Sequence, residues 1–442
     1  MLNSSIIVAP ATALGGAIAV IRMSGEGSVA CCDKLFRGRK PLGEAKSHTI
    51  HYGTICDGER VVDDVVVAVF RAPHSYTGEE SVEISIHGSR YIASEVIRLL
   101  CEQGARMAEA GEFSQRALAA GRIDLSQAEA VADLIASESR AAHAVAATQM
   151  RGGYSEMLET LREELLNITT LLELELDFSE EDVEFADRAK LHSMLEKTDA
   201  AVVRLMESFR VGNAIREGVA VAIVGRPNVG KSTLLNRLVG DDRAMVSEIA
   251  GTTRDTIEES VVIDDIRFRF IDTAGLHDTD DRLEQMGIER TERAIRQAQV
   301  ILYIAEPTQT ELALPTLVEG QTFLLVVNKM DTTDSRDIEG AIYISARENE
   351  GVEELRKALR ATVDTEGLYR GEVVVSNMRH FEALSRAHNH LGEALQALRN
   401  GISEELLAED IRLAINSLAE ITGRITSDDI LKNVFSRFCI GK

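Results

Sequence analysis

The segment GRPNVGKST, residues 225 to 233, follows an apolar run, VAVAIV, and opens a helical pattern, KSTLLNRLVG, that stops at Gly240. Strand, glycine-bearing turn and helix in that order make a loop whose backbone N–H groups converge on a phosphate, with the positive end of the helix behind it. Gly225 and Gly230 permit the backbone angles that such a turn requires. Lys231 is expected to reach the β and γ oxygens and Ser232 to ligate Mg²⁺, with Asn228, Val229 and Thr233 completing the phosphate contacts. Apolar strands alternate with helical patterns from Val219 to about Leu368. That alternation predicts a parallel sheet with crossover helices, an α/β P-loop domain of the Ras-like kind.

Three further segments follow in the order a nucleotide site needs. DTAG (Asp272, Thr273, Ala274, Gly275) comes after the strand-like RFRFI. Asp272 is placed to hold the metal through a water, and the Gly275 N–H to meet the γ-phosphate. NKMD, from Asn328 and Lys329 to Asp331, comes after FLLVV. The Asp331 carboxylate matches the two N–H donors on one edge of guanine, whereas adenine would leave a buried charge unpaired. Guanine is favoured by roughly 10⁴-fold or more, the margin by which a hydrogen-bonding site rejects an analogue without the group. SAR (Ser345, Ala346, Arg347) sits where a backbone N–H meets the guanine oxygen.

GTTRD, residues 251 to 255, lies between the phosphate loop and DTAG. Thr253 there is the expected second protein ligand to Mg²⁺, a contact made or broken by the γ-phosphate. Many regulatory GTPases place Gln after DTAG to orient the attacking water, but this chain has Leu276, which lacks a hydrogen-bonding group. The residues alone leave that role open among Asp278, Asp280, Asp281, Glu284 and Glu289, with Arg254 available as a finger in cis.

At 442 residues the chain exceeds what one hydrophobic core serves. Its 45% apolar and 27% charged residues exclude a disordered chain, and no apolar run approaches the ~20 residues of a membrane span. MLNSSIIVAP carries no basic region ahead of its apolar stretch, so it reads as strand and turn, and a cytoplasmic location is expected. Five cysteines without CxxC spacing fit neither a disulfide framework nor a zinc site. A net charge of −24 repels polyanions, so an RNA substrate would need a partner or a local basic patch. No Lys/Arg-rich appendage stands out.

Hydrophobic periodicity divides the chain into four segments. Short alternating runs such as VVDDVVVAVF and SVEISIHG predict an α+β domain over 1–118, and long amphipathic stretches without Pro predict helices over 119–216. The α/β domain fills 217–375. Helical spacing returns over 376–442, where Leu384, Ala387, Leu391, Leu395 and Leu398 share one face. The α/β domain is therefore expected to be inserted in an all-α domain. At the end, Ser427 is a suitable N-cap, and Ile430, Leu431, Val434, Phe435 and Phe438 form an apolar face that would dock the last helix.

Read with IIVAPAT, VIRMSG, PHSYTGEESVEISIHG, AGEFSQRALAAGRIDLSQAEAVADLI, ITSDDIL and the terminal FCIGK, these motifs resemble the MnmE (TrmE) family of tRNA-modification GTPases over essentially the whole length. The resemblance implies a K⁺ ion acting in place of an arginine finger, bound by residues matching Asn228, Ser247, Ile249 and Thr252. Glu248, Ala250 and Gly251 fall in the same GTP-binding switch segment. It implies that Glu284 orients the water and that the G domains of two subunits close the site. It further implies an N-terminal domain that makes a homodimer and binds 5-formyl- or 5,10-methylene-tetrahydrofolate through Arg22, Glu83, Arg122 and Lys442, with Cys439 of the CIGK tail near the one-carbon group. Arg122 stands where Lys is usual in that family, and ATALGGAIAV lacks the prolines and arginine often found there. The implied partner is the FAD-dependent MnmG protein in a heterotetramer, acting with it on tRNA held largely by that partner.

Overall fold

Period-two alternation places Val65, Val67 and Val69 of one strand, and Val82, Ile84 and Ile86 of its neighbour, on a buried face, leaving Val66, Glu83 and Ser85 on the other. The computed structural model describes residues 5–177, 188–240, 259–271, 284–309, 314–333, 338–365, 372–436, 438 and 441. The chain forms two compact units, Met1–Ala132 with Leu418–Lys442, and Asp133–Ser417. Among the described residues no helix is long and apolar enough to cross a membrane.

The first unit holds a seven-stranded sheet: β1 (Ile7–Pro10), β2 (Ile18–Ser24), β3 (Phe36–Gly38), β4 (Thr49–Asp57), β5 (Arg60–Phe70), β6 (Ser81–His87) and β7 (Arg106–Met107), in the order β3-β4-β5-β6-β2-β1-β7. All pairings are antiparallel except β1 with β7. One face packs on the helices Ser28–Asp33 and Arg90–Glu102 through Val29, Cys32, Val96 and Leu100. The other face carries Arg22, Glu83, Ala68 and Ile50 in one cross-strand row. Cys31, Cys32, Cys56 and Cys101 are free thiols, and burial pushes those of Cys31, Cys32 and Cys101 up, away from reactivity.

The second unit holds a six-stranded sheet: β8 (Val219–Gly225), β9 (Glu259–Ile263), β10 (Ile266–Ile271), β11 (Val300–Ala305), β12 (Thr322–Val327) and β13 (Ile342–Tyr343), in the order β13-β12-β11-β8-β10-β9. It is parallel apart from β9 on the edge. Helix Arg188–Glu217 precedes the sheet and helix Met378–Arg399 follows it. The two pack together, with Phe209 stacked on Phe381 at 4.6 Å and Asp199 bonded to His388 at 2.6 Å. The α/β domain is thus inserted between helices, and the whole is multidomain. Leu384, Ala387, Leu391 and Leu395 are buried as their spacing requires, while Leu398 is half-buried.

The contact-defined units are coarser than the four segments read from periodicity. Of the last segment, residues to Ser417 stay with the helical and α/β parts, and those from Leu418 join the N-terminal sheet. Ser427 caps helix Asp428–Phe435 by accepting the Ile430 N–H at 3.4 Å. Phe435 and Phe438 then pack on Leu125 and Ala128. Phe435, 1% exposed, is the central side chain of that contact. Phe435→Ala should therefore cost about 3–5 kcal/mol of local stability. Hydrogen exchange is expected to lose protection across Asp428–Phe435 while protection of β8 and β11 is unchanged.

Candidate functional site

At the end of β8 the chain turns through Asn228 and Gly230, at φ 63° and 96°, into helix Lys231–Gly240. Gly230 is required there: a Cβ would lie 2.2 Å from Asn328 Nδ2. That amide donates to the Val229 carbonyl at 2.8 Å, and Asn328 Oδ1 accepts the Ala346 N–H at 3.0 Å. One side chain, 3% exposed, thus joins the phosphate loop to the NKMD and SAR segments. Arg237 adds a second tie, donating to the Ala346 and Arg347 carbonyls at 3.3 and 2.9 Å.

Lys231 donates to the Gly225 and Arg226 carbonyls at 2.8 and 2.9 Å, and burial pushes its pKa down. Ser232 is half-buried and Thr233 exposed in the first turn of the helix. Ser345 donates its hydroxyl to Asp331 Oδ1 at 2.8 Å and pairs through its backbone with Glu350. Asp331 is exposed in the absence of nucleotide, and among the described residues its Oδ1 accepts from Ser345. Lys329, at φ 68°, pairs with Glu306. Glu284 begins helix Glu284–Gln297. Ser247, Glu248, Ile249, Ala250, Gly251, Thr252, Thr253, Asp272, Thr273, Ala274 and Gly275 lie outside the described residues.

In the N-terminal unit, the Arg22 guanidinium meets Glu83 Oε1 at 2.8 to 2.9 Å and donates to the Gly441 carbonyl at 3.4 Å. It lies 5.6 Å from the Tyr76 ring centroid and 5.8 Å from that of Phe113. Gly441, at φ 104°, is buried so closely that a Cβ would stand 2.0 Å from the Pro10 carbonyl. The stem of exposed Arg122 lies against Gly78, two residues from Tyr76. Cys439 and Lys442 lie outside the described residues.

Sequence reasoning missed Asn328 as a tie, Arg237, and the two rings beside Arg22. An aromatic residue inside the polar loop PHSYTGEES was the available signal for Tyr76; Arg237 left none.

Two family models match the chain: the GTP-binding protein TrmE N-terminus over residues 6–122 and the MnmE helical domain over 125–439. The tRNA modification GTPase MnmE of Flavobacterium johnsoniae is 46% identical over 466 residues, covering 100% of both chains. That of Bacteroides thetaiotaomicron is 45% identical over 466 residues, again covering 100% of both. Among solved structures, Era in complex with MgGDPNP and a segment of 16S ribosomal RNA is 25% identical, covering 38% of this chain and 65% of that one at a TM-score of 0.25. With full-length identity near one half and both family models in register, the chain belongs to the MnmE family of tRNA modification GTPases.

Proposed function

We propose that this chain is a K⁺-stimulated GTP hydrolase that acts with the FAD-dependent MnmG protein to add an aminomethyl or carboxymethylaminomethyl group to C5 of the wobble uridine of certain tRNAs. The observation that carries this reading beyond GTP hydrolysis is the Arg22 contact to the Gly441 carbonyl, which seats that glycine beside an Arg–Glu pair and near two aromatic rings.

At the nucleotide loop, Lys231 is a half-buried ammonium that among the described residues donates to two carbonyls. A β,γ-phosphate supplies the full negative charge that offsets its desolvation. Asp331 reads the guanine edge, and the N–H groups of residues 228 to 233 hold the phosphates. Ser232 and Thr253 would hold Mg²⁺; Asn228, Ser247, Ile249 and Thr252 would hold K⁺. These are oxygen donors throughout, a set suited to hard cations. Bound there, the ions supply positive charge to the oxygens that become more negative in the transition state. Glu284 orients the attacking water. Hydrolysis drives approach of the two G domains and the accompanying conformational change.

In the N-terminal unit, Arg22, Glu83, Arg122 and Lys442 would hold a one-carbon tetrahydrofolate, whose ring could stack on the exposed Tyr76 beside the Arg22 guanidinium. Homodimer formation is supported by the apolar open face of the same sheet, where Ile18 is 68%, Ile50 73% and Tyr52 70% exposed. A face of that kind marks an interaction surface.

Replacing K⁺ by Na⁺ should lower kcat by about 10²-fold or more, the scale of losing one transition-state charge contact. Asn228→Ala should remove the K⁺ dependence. A rate equal in the two salts rules out the K⁺ assignment. Cys439→Ser should retain GTP hydrolysis and lose wobble modification in tRNA recovered from a complemented deletion strain. Full modification would return that thiol to an inert role.

A further inference from the structure

Helix Lys231–Gly240 begins at the phosphate loop and carries a cation toward the base-reading segments. Lys231 and Ser232 lie in its first turn, and Arg237 stands six residues beyond Lys231, about 9 Å along the axis. Arg237 is half-buried, and among the described residues it is paired with no carboxylate. Its guanidinium is directed instead at two successive carbonyls, that of Ala346 at 3.3 Å from Nε and that of Arg347 at 2.9 Å from Nη2. Those carbonyls belong to a turn closed at its base, where Ser345 and Glu350 exchange backbone hydrogen bonds at 2.9 and 3.1 Å. Arg347, Glu348 and Asn349 are exposed, so hydrogen bonds rather than packing set the tilt of the peptide planes at the apex.

The Arg347 carbonyl and the Glu348 N–H are opposite ends of one planar peptide unit. That N–H donates to Ser345 Oγ at 3.2 Å, and the Ser345 hydroxyl donates in turn to Asp331 Oδ1 at 2.8 Å. A continuous chain of hydrogen bonds thus runs from Arg237 to Asp331: guanidinium to carbonyl, amide to hydroxyl, hydroxyl to carboxylate. Every donor in it points the same way, with a cation at the donating end and an anion at the accepting end, so each bond polarises the next. Ser345 is fully buried while Asp331 is exposed, and water competes for the carboxylate oxygens there. The direction of the Ser345 hydroxyl therefore matters, and the Glu348 N–H sets it by occupying the oxygen from the other side.

We propose that Arg237 is a positioning residue for base recognition. Through the Arg347–Glu348 peptide and Ser345 it fixes the Asp331 carboxylate against the two donors on the guanine edge, and it links that aim to the helix that holds the phosphates. This rests on the reading of Asp331 as the group that meets guanine. The 2-amino group is the guanine donor most sensitive to the arrangement, because a carboxylate turned out of line loses one of its two parallel hydrogen bonds first.

The test compares GDP and IDP affinities of the full-length chain by calorimetry. Inosine diphosphate keeps the phosphates, the ribose and the ring oxygen and lacks only the 2-amino group. The ratio of the two affinities therefore isolates what Asp331 reads and cancels any loss at the phosphate loop. Arg237→Met should lower that ratio about fivefold, the scale of one net hydrogen bond. Ser345→Ala should lower it as well, and the double variant should fall no further than Ser345→Ala alone, because both changes break one chain. Arg356→Met, which removes a 3.1 Å hydrogen bond to the neighbouring Leu238 carbonyl, should keep the wild-type ratio. An Arg237→Met protein with the wild-type ratio overturns the proposal and leaves the guanine reading intact. Additive losses in the double variant overturn it too, as does an equal loss in Arg356→Met, which would assign the effect to loosening of the helix. Wild-type protein that binds GDP and IDP alike overturns the guanine reading of Asp331 and the proposal with it. Where Arg237→Met fails to match the wild-type thermal midpoint, Arg237→Gln takes its place under the same expectations.

Discussion

The carboxamide of Asn328 is the interaction on which the nucleotide site depends. It is nearly fully buried, and its two polar ends are satisfied by groups from different segments, the Val229 carbonyl and the Ala346 N–H. Leaving either unpaired costs about 1–3 kcal/mol, so the loop ends at β8, β12 and β13 hold one another in place before any nucleotide arrives. Gly230 belongs to the same unit, because only a residue without Cβ lets the amide approach so closely. The phosphate loop is therefore a packed element of the fold rather than a free turn, and Asp331 is left at the surface. Among the described residues its carboxylate is oriented by Ser345, so the fold aims this group without burying it.

In the N-terminal unit the corresponding constraint is ionic. Glu112 and Arg116, both from GEFSQRA, are buried with 4% and 2% of their side chains exposed. Glu112 also meets Arg106, while Arg116 reaches Glu79 at 3.1 Å and the Ser5 carbonyl at 2.9 Å. Burial raises the Glu112 carboxyl, but hydrogen bonds from Arg106, the Glu109 N–H and Arg116 outweigh it and hold its pKa below the usual value. A depressed folded-state pKa means that this contribution is present above the unfolded pKa and is lost as pH falls through the folded one. A network of this kind adds little net stability over apolar packing, but removing one partner leaves an uncompensated buried charge. The GEFSQRA stretch thus fastens helix Glu112–Ala119 to Ser5 ahead of the first strand and to Glu79 in the loop before β6.

How much of this was legible in the chain depended on the range of the interaction. Local patterns carried far: strand alternation in β5 and β6, the buried face of Leu384, Ala387, Leu391 and Leu395, and the Ser427 cap all follow from neighbours within four residues. The strand–turn–helix context of residues 219 to 240 likewise appears as the spacing requires. What periodicity did not carry was pairing over long separations. Asn328 meets a residue 99 positions away, and Arg22 meets Gly441 across 419. Nothing in NKMD distinguishes an asparagine that touches the base from one that ties two loops. The turn between β3 and β4 is held in the same long-range way, by the Asp33 carboxylate on the Leu42 and Gly43 N–H groups and by Arg71 on the Leu42 and Gly43 carbonyls.

The charge balance of the chain follows the same logic. An excess of acids over the whole molecule repels RNA at long range, and in 0.15 M salt that repulsion decays over about 8 Å. Beyond that distance the charge of the whole chain no longer decides whether a polyanion approaches; the local arrangement of charges does.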